Sequence, residues 1–202
     1  VIPIESKILI DSHKLNYHPV EVGKWLQGKT IYPICIEISP SGTCNHRCIF
    51  CSQSYLGYQR SFINQALLLE NMKELVRKGT KSIVVAGEGE PLLHKETPNI
   101  INHIKSLGMD VAMSTNGVLM TREITQNCLA SLTWVRISLN GGNQRVYNEI
   151  HGLEASRRDY DKVLGNLETM VAVKRQQKLM ATIGVQLVLI PGNFDGLIWP
   201  RS

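Results

Sequence analysis

The chain has 202 residues, 43% of them hydrophobic, enough for one domain with a sizeable core. Its net charge of +5 is mild and no Lys/Arg block stands out, so the sequence offers no evident nucleic-acid partner. No apolar run reaches the length of a membrane span, and the opening Val-Ile-Pro-Ile-Glu-Ser lacks the basic and long apolar parts of a secretory leader. The chain opens on Val1 rather than methionine, which reads as a processed chain or a fragment. Residues 1 to about 30 form a preamble with a short helix expected from Pro19 to Gln27. The β-branched run from Ile31 to Ile38 reads as a first strand. Apolar residues at helical spacing follow at Ala66, Leu67, Leu69, Met72, Leu75 and Val76, stopped by Gly79. Ser82 to Ala86 is then a strand, Pro98 to Leu107 a helix, and Asp110 to Ser114 a strand. Arg122 to Ala130 reads as a helix, Trp134 to Leu139 as a strand, Tyr160 to Lys178 as a long helix, and Thr182 to Ile190 as a fifth strand. Strands alternating with helices predict an α/β fold with a parallel sheet.

In such a sheet, function collects where strands end in loops. The loop after the first strand carries Cys44, Cys48 and Cys51 in Cys-Asn-His-Arg-Cys-Ile-Phe-Cys. That spacing lets one short loop aim three soft thiolates at one point, which suits an iron–sulfur cluster or a thiophilic metal. Three ligands leave one iron of a [4Fe–4S] cluster open. The alternatives are a structural zinc site that uses the cysteines with His46, though no second ligand pair follows, and unligated thiols. Cys35, in an apolar strand, and Cys128, late in a helix, read as packing residues. The later strand ends carry Gly87-Glu88-Gly89-Glu90-Pro91, Ser114-Thr115-Asn116-Gly117 and Ser138-Leu139-Asn140-Gly141-Gly142.

CxxxCxxC with Phe50 just before the last cysteine resembles the signature of the radical S-adenosylmethionine (radical SAM) enzymes. The order of the strand-end motifs resembles the family's partial (β/α)6 barrel over residues 31–195. The resemblance implies a [4Fe–4S] cluster on Cys44, Cys48 and Cys51 and SAM chelated to its open iron. SAM would be cleaved reductively to a 5′-deoxyadenosyl radical that abstracts hydrogen from substrate. Gly89, Glu90 and Pro91 match the end of the Gly-Gly-Glu-Pro motif that holds the methionyl ammonium, with Glu88 in place of the first glycine. Ser138 and Asn140 match the position facing the methionyl carboxylate or ribose. His151 stands where many members place an arginine for that carboxylate, and its charge would depend on pH. Thr115 and Asn116 fit ribose or methionine contacts, Phe50 fits adenine, and Gln186 fits SAM or substrate from inside the barrel. Glu37 and Arg136 share inward parity, and a salt bridge across the lumen is expected between them.

The family core continues with another helix, strand and helix, so the resemblance leads us to expect a barrel ending after its fifth strand, with residues 196–202 as a tail outside the pattern. The implied protein is a cytoplasmic enzyme, since clustered unpaired cysteines suit a reducing compartment. It would take electrons from a low-potential donor such as flavodoxin or ferredoxin, with no nucleic-acid partner evident and no membrane expected. The alternative is a truncated, inactive relative that binds a cluster or a partner.

Overall fold

The computed structural model describes residues 17–194. The expected tail, 196–202, and the first 16 residues of the preamble lie outside that range. The chain divides into two compact units, residues 1–33 and 34–202. In the first, helix α1 (Pro19–Leu26) starts on a proline, whose missing N–H costs nothing in a first turn, and buries none of its residues.

The second unit begins with strand β1 (Cys35–Ile38), the short helix α2 (Ser52–Leu56) and helix α3 (Gln65–Lys78). Strand β2 (Ser82–Val85), helix α4 (Thr97–Ser106), strand β3 (Asp110–Thr115) and helix α5 (Arg122–Cys128) follow. Strand β4 (Trp134–Ser138), helices α6 (Gln144–His151) and α7 (Asp159–Gln177), and strand β5 (Thr182–Gln186) complete it. All five strands are parallel and lie side by side in chain order. An unreversed order is the winding of a barrel, without the switch point of a doubly wound sheet.

Alternation sorts the strands into two faces. Ile36, Ile38, Ile83, Val85, Val111, Met113, Val135 and Ile137 face the helices. They pack with Met72 of α3, Ile101 and Ile104 of α4, Cys128 of α5, and Val163 and Met170 of α7. The opposite face carries Cys35, Glu37 and Arg136, which are exposed, and Ser114, which is half-buried. Cys35 therefore departs from its expected burial: it is exposed, because it shares the parity of Glu37. The expected Glu37–Arg136 ion pair is not formed. Arg136 instead lies over the Trp134 ring at 5.4 Å.

Two strands are shorter than expected. Pro33 has no N–H for the ladder, so β1 starts only at Cys35. After Gln186, the backbone N–H groups of Val188 and Ile190 are taken by the side chains of Asn140 and Asn193, which end β5. Helix α6 was not expected. Asn143 caps it by accepting from the Val146 N–H, and Gly152 ends it in the left-handed region at φ 61.

The C-terminal end of α6 holds the cysteine loop. Arg47 N donates to the His151 carbonyl at 2.9 Å, and Ile49 N to that of Ile150 at 3.0 Å. A Cβ on Gly152 would stand 2.2 Å from the Arg47 carbonyl oxygen. Gly152→Ala therefore combines strained backbone with a backbone clash. It should lower the unfolding free energy by about 1–3 kcal/mol or more in denaturant titration, and an unchanged midpoint would show that the loop yields.

Candidate active site

The strand ends of β1–β5, the cysteine loop and α6 enclose one cavity of about 240 Å³. Of the residues expected to hold the cluster or SAM, all but Pro91 line it: Cys44, Cys48, Cys51 and Phe50 from the loop, Gly89 and Glu90 after β2, and Thr115 and Asn116 at the end of β3. Ser138, Asn140, His151 and Gln186 close the far side. Pro91 is buried behind the wall, where it starts a single 3₁₀ turn, Pro91–Leu93.

The cysteines sit in unlike surroundings. Burial raises the Cys44 thiol, against a hydrogen bond from the His46 N–H. Burial also pushes Cys48 up to about 12. Cys51 is lowered overall: its partial burial is outweighed by hydrogen bonds, chiefly with the Tyr58 hydroxyl, 3.5 Å away. The loop is braced from within by Arg47, whose guanidinium donates to the carbonyls of Cys44 and His46 and lies over the Tyr58 ring at 4.4 Å.

Glu90 is 2% exposed. Its carboxylate accepts from the Thr115 hydroxyl, from Asn116 N at 2.8 Å and from Leu92 N at 3.2 Å. Burial raises its pKa and the three donors oppose that rise. Its own N–H donates to the Thr43 carbonyl at 2.8 Å. The neighbouring Gly89 lets this contact form, since a Cβ there would stand 2.2 Å from the same oxygen. Glu90 thus ties together β2, β3 and the cysteine loop. Asn116 adds a second tie through Asn45, at 2.7 Å. Thr115 and Asn116 therefore face the cavity with their side chains already engaged.

Asn140 adopts the left-handed region at φ 54, which asparagine tolerates. Its Oδ1 accepts from Val188 N, while its Nδ2 is buried at the cavity with no partner. A buried donor without an acceptor at the cavity is available to a polar ligand.

His151 does not stand in the cavity as a cation. Burial, helped by the neighbouring His46, lowers its pKa to about 4. Its Nε2 faces the Leu139 carbonyl at 3.1 Å, and its Nδ1 faces both Cys48 Sγ and His46 Nδ1 at 3.1 Å. His46, 1% exposed, turns its Nε2 to Asp159 at 3.1 Å. Burial lowers the His46 pKa against the pull of that carboxylate. Asp159 is itself lowered: its burial is outweighed by the hydrogen bonds from Arg157 and His46. Tyr147 packs against both imidazoles. Asp159 and Tyr147 carry no local motif and were missed in the sequence, whereas His46 was considered only as a zinc ligand.

Comparison with known proteins places this arrangement. The radical SAM superfamily profile matches residues 38–196. A probable GTP 3′,8-cyclase of Thermococcus kodakarensis is 28% identical over 168 residues, 81% of this chain and 50% of that protein. An S-adenosylmethionine-dependent nucleotide dehydratase of Lacinutrix mariniflava is 33% identical over 102 residues, 48% of this chain and 21% of that protein. The chain thus spans at most about half the length of these relatives. Among solved structures, Streptococcus suis SuiB bound to its precursor peptide SuiA superposes with a TM-score of 0.67 at 18% identity, over 97% of this chain and 42% of that one. The enzyme anSMEcpe with bound AdoMet and a peptide superposes with a TM-score of 0.53 at 21% identity, over 75% of this chain and 42% of that one. At these identities the likeness is one of fold, the partial barrel of parallel strands. Radical SAM enzymes use a [4Fe–4S] cluster and SAM, and both SuiB and anSMEcpe have been crystallised with the latter. By the extent of the profile match, the chain belongs to the radical SAM superfamily.

Proposed function

We propose that this chain is the core of a radical SAM enzyme, holding a [4Fe–4S] cluster on Cys44, Cys48 and Cys51 with SAM beside it. The observation that carries the reading is the single cavity lined by all three cysteines and by the unpartnered Asn140 amide. When bound, the cluster and SAM would supply reductive cleavage to a 5′-deoxyadenosyl radical that abstracts hydrogen from substrate. The chain's part is binding, orientation and dryness.

The donor set fits these groups. Three thiols from one loop suit a cluster with one iron left open. Glu88 and Glu90 are the carboxylates on the cavity wall, so the methionyl ammonium belongs on that side. Glu90 is fixed in place by three donors, while Glu88 is exposed and adjustable. Ser138 and the Asn140 Nδ2 are donors for the carboxylate or ribose. Phe50 and Val188 offer apolar surface to adenine, and Gln186 offers an amide to its edge. His151 serves from behind, against Cys48, rather than as a substitute for a guanidinium. All five cysteines are free, which fits a reducing cytoplasm and a low-potential donor such as flavodoxin or ferredoxin.

The direct test is anaerobic reconstitution with iron and sulfide, followed by SAM and dithionite and an assay for 5′-deoxyadenosine. Cys44→Ala, Cys48→Ala and Cys51→Ala should each abolish the broad iron–sulfur absorbance near ~400 nm, because each thiolate holds one iron. Cys35→Ala and Cys128→Ala should keep it, and loss in Cys128→Ala would overturn the ligand assignment.

Asn140→Asp keeps the acceptor for Val188 N and removes the unpartnered donor. SAM affinity measured by anaerobic titration should fall about tenfold or more, because a carboxylate replaces a donor facing an anionic group, and the melting temperature should fall as well, since the position is buried. Equal affinity would mean that the amide meets only water.

Glu90→Gln puts an amide NH₂ where donors already point, so unfolding free energy should fall by about 1–3 kcal/mol. Because the folded pKa of Glu90 is raised, its contribution to stability is present below the unfolded value of about 4.3 and is lost as pH rises through the folded value. Thermal melts between about pH 4 and 7 should show that component in the wild type and not in the variant. Identical pH dependence would mean that Glu90 does not titrate on unfolding.

A further inference from the structure

We propose that His46, His151 and Cys48 form a buried site for one thiophilic divalent cation, zinc(II) first, in the chain that carries no cluster. The Nε2 atoms of both rings face pure acceptors at 3.1 Å, the Asp159 carboxylate for His46 and the Leu139 carbonyl for His151. Each neutral ring therefore keeps its proton on Nε2 and leaves Nδ1 bare. The two bare Nδ1 atoms then confront each other at 3.1 Å, with Cys48 Sγ 3.1 Å from that of His151. Lone pairs so placed repel unless a cation joins them. The three ligand atoms all lie within 4.8 Å of one another. Bonds of about 2.0–2.1 Å to nitrogen and 2.3 Å to sulfur span the two 3.1 Å contacts, and the third pair would close in on the ion as it binds.

The surroundings match as well. Metal-bound histidines donate their remote N–H to a carboxylate or a backbone carbonyl, which fixes the tautomer and turns the ring. Here one ring has each kind of partner. Tyr147 packs on both imidazoles and holds them dry. On binding, the Cys48 thiol would lose its proton to solvent and ligate as thiolate. The ion and a cluster would both claim Cys48, so they are alternative occupants. The ion site does not depend on the cluster assignment under Proposed function.

The test uses the full chain, freed of iron by chelation and kept anaerobic, titrated with cobalt(II) and then zinc(II). With water from the cavity as fourth ligand, wild type should bind a single equivalent of cobalt with tetrahedral ligand-field bands and a thiolate-to-cobalt charge-transfer band, both erased by zinc. Asp159→Asn, acting through His46, should weaken binding about 10- to 100-fold, and His151→Gln should weaken it more. Cys44→Ala and Cys51→Ala should bind cobalt as wild type does, while failing to assemble a cluster. Zinc-loaded wild type should take up no cluster until the zinc is removed. A six-coordinate cobalt spectrum, or no binding, would overturn the proposal and leave a shared proton between the rings. Equal loss in Cys44→Ala and Cys51→Ala would move the ion to the three cysteines and also overturn it. The intensity of the wild-type charge-transfer band separates one thiolate ligand from three even if a variant fails to fold, and an intensity matching three would overturn the proposal. Cluster assembly, read separately by its own absorbance, tests the other assignment.

Discussion

Irregular backbone cannot satisfy itself, and the cysteine loop depends on polar groups lent by distant elements. Two come from the last turn of α6, whose free carbonyls accept from Arg47 and Ile49. Another comes from the turn after β2, where Glu90 N reaches Thr43. Each contact needs close backbone approach, and each occurs beside a glycine whose side-chain position is filled by a loop carbonyl. The cavity exists because these two clamps fix the loop above the strand ends. Glu90 joins the clamps to the sheet: one side chain receives donors from β3 and from its own turn while its backbone holds the loop.

Charge is managed by burial. The imidazoles of His46 and His151 are dry enough to be held neutral, and the Cys48 thiol beside them is held protonated. Asp159 keeps its charge because Arg157 and His46 both donate to it, at 2.6 and 3.1 Å. That carboxylate lies at the N-terminal start of α7, where the helix dipole favours an anion. The Asp159 charge therefore sits on the far side of an imidazole, while Glu88 and Glu90 are the carboxylates that share the cavity with the thiols.

Much of this could be read from the sequence, for physical reasons that differ by residue. Strand parity placed Ser138 and Gln186 on the cavity side, because alternation survives whatever packs around a strand. The glycines of the strand-end loops and the three cysteines were visible as motifs. Parity also held a warning about Cys35 that its apolar neighbours masked, since Glu37 lies on the same face. Helix α6 was hidden because Gln144 to His151 is short and polar, and its apolar Val146, Tyr147 and Ile150 do not stand out without a partner. The His46–Asp159 pair joins residues 113 positions apart, a distance no local pattern spans. His151 was placed by analogy with arginine, but burial, which sequence does not report, gave it a different environment.

The clamp on the cysteine loop also carries a schedule. Arg47 and His46 are made about a hundred residues before the His151 that anchors them; the His46–His151 separation is 105 positions. At synthesis rates of about 5–20 residues per second, roughly 5–20 s pass between the emergence of the loop and that of its anchor. For that interval the three thiols hang on an unshaped segment of a nascent chain, open to oxidation and to any soft metal ion. The loop gains the backbone partners that shape it only once α6 has followed it out of the ribosome.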